Sequence, residues 1–307
     1  MRRLTLMLVA VTMLGACVQT GTPRRTSESV GARTADIVVG SFNFAESELL
    51  ADVYAEALRS AGYPVQRLTN VGSREVMEPA IEQGEIDIVP EYVGTALTFL
   101  EPGLPFVTTP ERARDVLAEA FAERGIRVLH AAPGQNRNEF VVTAATAEEH
   151  GLSSISDLRQ VDGRLTLGGP PECPARPLCL QGLESVYGLR FDSFQSLDTG
   201  GPATLAALRG GEIDVGLLFT TDPALASDEL VILRDDRRLQ PSENVVPVVR
   251  EAIVDRYGRG VVRVLNQVTA KLTEGTLRNL NERNSLGSLS TTTIARGWLE
   301  ERGFQWH

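Results

Sequence analysis

The 307-residue chain is poor in the residues that most often carry covalent or metal chemistry, with three cysteines, three histidines and a single lysine, Lys271. His130, His150 and His307 show no zinc-ligand spacing to the thiols. Gly-x-Ser-x-Gly, a Walker loop, a zinc helix signature and a paired Gly-rich phosphate turn are all missing. Gly168-Gly169-Pro170-Pro171 and Gly200-Gly201-Pro202 contain glycine but follow it with proline, which lacks the backbone N–H that a phosphate needs. General acid and base chemistry would fall on carboxylates alone. These absences favour binding over turnover, so no enzyme activity, cofactor or metal is expected. Basic charge is also short: the net charge of −10 argues against nucleic acid and against broad adhesion to anionic lipid.

The one marked apolar run is N-terminal. Met1-Arg2-Arg3 is a basic start, Leu4 to Leu14 is apolar, and Leu14-Gly15-Ala16-Cys17 ends the run with small residues before a cysteine. The run is too short to span a bilayer comfortably and has the layout of a secretion signal. The small pair before Cys17 resembles the lipobox of bacterial lipoproteins, which implies acylation of Cys17 and an extracytoplasmic, lipid-anchored protein. An ordinary signal peptide carrying a cysteine is the alternative. Residues 1–17 are thus expected to be signal and lipobox, and residues 18–34, rich in Thr, Ser, Gly and Arg, a flexible tether. Without residues 1–16 the charge becomes 28 basic against 40 acidic, or −12. Cys173 and Cys179 remain as an even pair in a proline-rich segment of an exported protein, which suggests a local disulfide, a two-cysteine metal site being the competing reading.

The main feature present is an internal echo. Ala80-Ile81-Glu82-Gln83-Gly84-Glu85-Ile86-Asp87-Ile88 returns as Ala207-Leu208-Arg209-Gly210-Gly211-Glu212-Ile213-Asp214-Val215. The same helix end, glycine stop and short strand are written twice. At equal offsets stand Tyr92 and Phe219, so two similar units are expected to aim one ring each at a shared ligand. Around them the pattern is strand, helix, strand, helix, strand. Asp36–Ser41 reads as a buried strand, and Asn43 with Glu46 as a capping box opening a helix that Gly62 stops. Short connections of this kind imply an α/β fold with a mainly parallel sheet and ligand chemistry outside the strands' carboxyl ends. Asp87 and Asp214 read as structural groups bonding a neighbouring backbone N–H. Residues from Glu251 onward are helical in pattern, with Trp298 and Trp306 as core anchors.

Phe42-Asn43-Phe44-Ala45-Glu46, the block from Gly84 to Leu97 containing Pro90-Glu91-Tyr92-Val93-Gly94-Thr95, and Gly211-Glu212-Ile213-Asp214 with Phe219-Thr220-Thr221-Asp222 resemble the glycine betaine/carnitine/choline-binding lipoproteins of ABC importers. The likeness runs in order from about Asp36 to Arg250. It implies a type II periplasmic-binding-protein fold, two lobes joined by a hinge with a ligand cleft between them, and delivery of an osmoprotectant to a separate permease and ATPase. Lobe 1 is expected at 35–137 plus 246–307, and lobe 2 at 138–245.

In that family a trimethylammonium group sits among tyrosines, each ring face attracting the cation by on the order of 0.5–2 kcal/mol. The resemblance places Tyr92 at one cage position and Thr95 at a nearby hydroxyl contact. Asn138 and Phe140 fall in an Asn-x-Tyr block, and Phe219, Thr220 and Asp222 in a Tyr-x-Thr-Asp block. Glu243 replaces a cage tyrosine, and Ser47 stands where the family often has Gln. Core packing for Phe140, helix capping for Asp222 and a solvent-facing Glu243 are the competing readings, the last of them favoured. Rival functions are a solute-binding sensory receptor, a binder of another flat or apolar molecule, and, less favoured, an enzyme on the same scaffold.

Overall fold

The computed structural model describes residues 36–103 and 109–304. Cys17, the expected signal at 1–17, the tether at 18–34 and Trp306 lie outside them. The described chain forms ten strands: β1 (Ile37–Gly40), β2 (Val65–Leu68), β3 (Ile88–Tyr92), β4 (Ile126–Val128), β5 (Asn138–Thr143), β6 (Thr166–Gly169), β7 (Ser193–Ser196), β8 (Val215–Phe219), β9 (Leu230–Ile232) and β10 (Val245–Arg250). They make two five-stranded sheets, ordered β2-β1-β3-β10-β4 in lobe 1 and β7-β6-β8-β5-β9 in lobe 2.

Each sheet is mixed rather than mainly parallel. β1 pairs in parallel with β2 and β3, and β6 with β7 and β8, as successive strand–helix–strand units require. The chain then crosses between lobes. β5, entering lobe 2, runs antiparallel between β8 and β9, while β10, returning to lobe 1, runs antiparallel between β3 and β4. A run of apolar residues does not encode its direction, which is why the pattern alone favours the parallel arrangement. The two crossing segments are bonded to each other through a Gln135–Asn244 bridge and an Asn136 N–H that donates to the Glu243 carbonyl at 2.9 Å.

The repeated units fold alike. Gly84 and Gly211 end their helices in the left-handed region, at φ 79° and 70°. Asp87 then accepts from the Val38 N–H at 2.9 Å and Asp214 from the Thr166 N–H at 2.8 Å, each carboxylate fastening the parallel strand beside its own, β1 and β6 respectively. The first helix, Ala45–Ser60, differs from expectation: its N-cap is Phe44, with no side-chain cap bond. Glu46 is drawn away from the capping role by stronger donors described below. That helix is buried on most of its surface because the helical C-terminal segment packs over it. Trp298 anchors the contact at 1% exposure, in one core with Leu49, Val53 and Leu58. Lobe 2 has its own core around Val142, Leu167, Leu183 and Val215.

Candidate ligand-binding cleft

The carboxyl ends of β1 and β3 in lobe 1 face those of β6 and β8 in lobe 2, and a cavity of about 380 Å³ opens between them. That volume is at the lower end of the roughly 300–1,000 Å³ typical of small-molecule pockets. Five aromatic rings line it, those of Phe42, Phe44, Tyr92, Phe99 and Phe219. Phe44 lies between the two echoed rings, its centroid 5.8 Å from Tyr92 and 5.6 Å from Phe219. Phe42 stacks on Phe44 at 6.1 Å, and the Arg74 guanidinium covers Phe42 at 4.8 Å.

The two echoed rings are fixed by different means. Tyr92 is the last residue of β3 and donates its hydroxyl to Glu46 Oε1 at 2.8 Å. Burial first, and the Glu46 charge second, push its phenol well above the ordinary range, so it stays a donor. Phe219 ends β8 opposite Asn138 and has no hydroxyl. Its ring lies on Gly200, where an added Cβ would come within 2.6 Å of the ring and where φ is +61°.

Four of the residues chosen from sequence line this cavity: Tyr92, Thr95, Asn138 and Phe219. Asn138 donates its amide to the Leu178 carbonyl at 3.3 Å. Thr95 donates its hydroxyl to Glu243. Glu243 faces neither solvent nor the open cavity. It is 2% exposed, and its other oxygen accepts from the Gly94 N–H at 3.0 Å. Gly94 permits that approach, because a Cβ there would lie 2.4 Å from Pro241. Burial raises the Glu243 carboxyl to about 7 despite the Thr95 donor.

The remaining residues do not line it. Phe140, at 1% exposure, packs in the lobe 2 core. It shares Asn138's face of β5 but sits two residues further along the strand, in the core beside Val142 rather than at the cavity. Ser47 accepts from the Phe42 N–H at 2.9 Å and so shapes the turn after β1. Thr220 accepts from the Arg137 N–H at 3.0 Å beside the crossover. Asp222 caps the short turn Pro223–Ala226 through the Ala224 N–H at 2.8 Å.

The cavity also has walls that the sequence reading did not assign. Phe42 and Phe44 follow the end of β1, the location that singles out Tyr92 after β3, so the same strand-end rule reaches them. Phe99 and Thr98 come from the helix Val93–Leu100, which begins at Tyr92 without any capping side chain to announce it. Arg74 pairs through two nitrogens with the buried Glu91, at 2.8 and 2.6 Å. Across the cleft, the segment from Pro170 to Cys179 is closed by a Cys173–Cys179 disulfide. Its Arg176 pairs with Glu75 of lobe 1 at 2.9 Å and lies over Phe99 at 5.2 Å.

The family model described as the substrate binding domain of ABC-type glycine betaine transport systems matches residues 35–301. The glycine betaine-binding protein YehZ of Escherichia coli is 27% identical over 278 residues, covering 87% of this chain and 91% of that protein. A glycine-betaine-binding protein of Pseudomonas aeruginosa is 28% identical over 284 residues, 88% of this chain and 89% of the other. Among solved structures, a glycine betaine/carnitine/choline ABC transporter protein superposes with a TM-score of 0.67 at 21% identity, over 88% of this chain and 99% of that one. Ligand-free YehZ superposes with a TM-score of 0.61 at 27% identity, over 88% and 100% of the two chains. The fold is the type II periplasmic-binding-protein fold, two lobes with a cleft between them.

Proposed function

The chain belongs to the family of substrate binding domains of ABC-type glycine betaine transport systems, and from that premise we propose that it captures a quaternary-amine osmoprotectant and delivers it to a membrane permease. The family is one of transport proteins that work outside the cytoplasm, not a class of enzymes. The observation that carries the ligand reading is the row of Tyr92, Phe44 and Phe219 rings inside the interlobe cavity. A quaternary ammonium offers no hydrogen bond, and ring faces are the groups that attract it without one. Tyr92 and Phe219 are proposed as ligand contacts, with Thr95 and Asn138 at the cavity edge. No helix among the described residues is long and apolar enough to cross a membrane, which agrees with a separate permease. Attachment through an acylated Cys17 completes the proposal. Calorimetric titration of residues 35–307 with glycine betaine, choline, carnitine and ectoine tests it. Binding of at least one of them tighter than millimolar is expected; a folded protein that binds none sinks the osmolyte reading.

A further inference from the structure

Glu46 is 5% exposed and forms no ion pair among the described residues, yet its carboxylate is bonded on every side. Oε1 accepts from the Tyr92 hydroxyl and from the Asn136 amide, each at 2.8 Å. Oε2 accepts from the Thr221 hydroxyl and the Asn281 amide, each at 2.6 Å. Burial raises the carboxyl above its ordinary range, and these four bonds offset only part of that rise. Four neutral donors converging on two oxygens suit the ionised form, whose hydrogen bonds are about twice as strong as neutral ones.

The four donors come from four parts of the molecule. Tyr92 ends β3 of lobe 1, Asn136 lies on the first crossing segment, Thr221 follows β8 of lobe 2, and Asn281 belongs to the helix Glu274–Ser285 of the C-terminal segment. Asn136 reinforces the link by accepting from the Thr221 N–H at 3.3 Å, and Asn281 by donating to the Thr221 hydroxyl at 3.0 Å. Glu46 is therefore the point where a cavity ring, a crossing strand and the facing lobe meet. A phenol that donates to a carboxylate is also polarised, with more electron density on the face a cation would approach.

We propose that Glu46 is the positioning residue of the cleft, setting the Tyr92 ring for a cationic ligand and making that setting depend on Thr221 of the facing lobe. The proposal rests on the quaternary-amine reading above. A double-variant cycle tests it, with glycine betaine as the probe and affinity measured by calorimetry on the wild type, Glu46→Gln, Tyr92→Phe and the pair. Each single change should weaken binding about tenfold, and the double variant should be no weaker than the worse single by more than about twofold. Additive losses overturn the proposal, since a merely structural Glu46 would act whether or not the Tyr92 hydroxyl is present. If Glu46→Gln fails to fold, the cycle is run on Tyr92→Phe and Thr221→Val, which touch opposite lobes and leave Glu46 in place. Non-additivity there supports the link and additivity overturns it. Should the wild type bind none of the four osmolytes, the ligand reading fails by itself. Small-angle scattering of ligand-free Thr221→Val then decides the interlobe link: a larger radius of gyration supports it and an unchanged one overturns it.

Discussion

The two lobes repeat one topology strand for strand and stabilise their cleft walls by opposite means. In lobe 1 the wall is held by buried charge and hydrogen bonds: Glu46 on Tyr92, Glu91 on Arg74 and, reaching in from the returning crossing segment, Glu243 on Thr95 and Gly94. In lobe 2 it is held by a covalent bond and by close packing: the Cys173–Cys179 disulfide and the Phe219 ring against Gly200. A duplicated backbone thus fixes where a ring emerges, while the side chains around it decide how firmly and with what sensitivity it is held. Lobe 1 should respond to pH, and lobe 2 to reduction.

The largest expected effect is the pH response. The Glu243 carboxyl, about 7 in the folded protein against an ordinary value of 4.5, binds its proton more tightly folded than unfolded. Below pH 4.5 both states are protonated and the contribution vanishes. As pH rises toward 7 the unfolded chain ionises first, so stability falls by up to about 3 kcal/mol and stays lower above 7. Glu78, raised by burial to about 8 with Oε2 lacking a partner, acts in the same direction. Glu243→Gln should therefore flatten the decline in denaturant midpoint between pH 5 and pH 8. An unchanged slope would remove buried charge as the feature that sets lobe 1 apart.

Next in size is the staple. Replacing both Cys173 and Cys179 by Ser frees a short loop, and a closed loop of this length is worth about 2 kcal/mol in the chain-entropy account. The loss should be independent of pH and matched by reductant on the wild type. It should also free Arg176 from Glu75, so ligand dissociation, followed by stopped flow, should accelerate. A loss that varies with pH would mean the lobes are not stabilised separately.

Third is the ring itself. Tyr92→Ala removes one desolvated face and should weaken quaternary-amine binding at least about tenfold by calorimetry. Unchanged affinity would take Tyr92 out of the site.

The likeness of the lobes was legible because it is written in residues close in sequence: the helix end, the glycine stop and the aspartate that fastens the neighbouring parallel strand. The site was legible only in part. Tyr92 and Phe219 could be found since each ends a strand of the echoed unit. Glu243 was misjudged as solvent-facing because its burial depends on Gly94, 149 residues away, allowing the Pro241 segment to approach. Glu46 read as a cap because its local spacing fits one, whereas its four partners lie 46, 90, 175 and 235 residues distant. Short-range pattern reports the backbone well and the long-range hydrogen-bond partners of a buried carboxylate hardly at all.

The smallest expected effect is the most direct probe of the difference between the lobes. Phe219→Tyr gives lobe 2 the residue that lobe 1 has at the echoed position, but without a counterpart of Glu46 to receive the hydroxyl. Phe219 is half-buried against Phe44 and Gly200 and lines the cavity, so the added hydroxyl would be placed at the cavity rather than against a buried acceptor. Ring area is conserved and the face is not polarised. Affinity for glycine betaine, measured by calorimetry, should change by less than about threefold, within the modest net value of one solvent-exchangeable hydrogen bond. A gain of tenfold or more would show that the hydroxyl, not the carboxylate behind it, is what distinguishes the two rings, and the contrast drawn between the lobes would then reduce to a single atom.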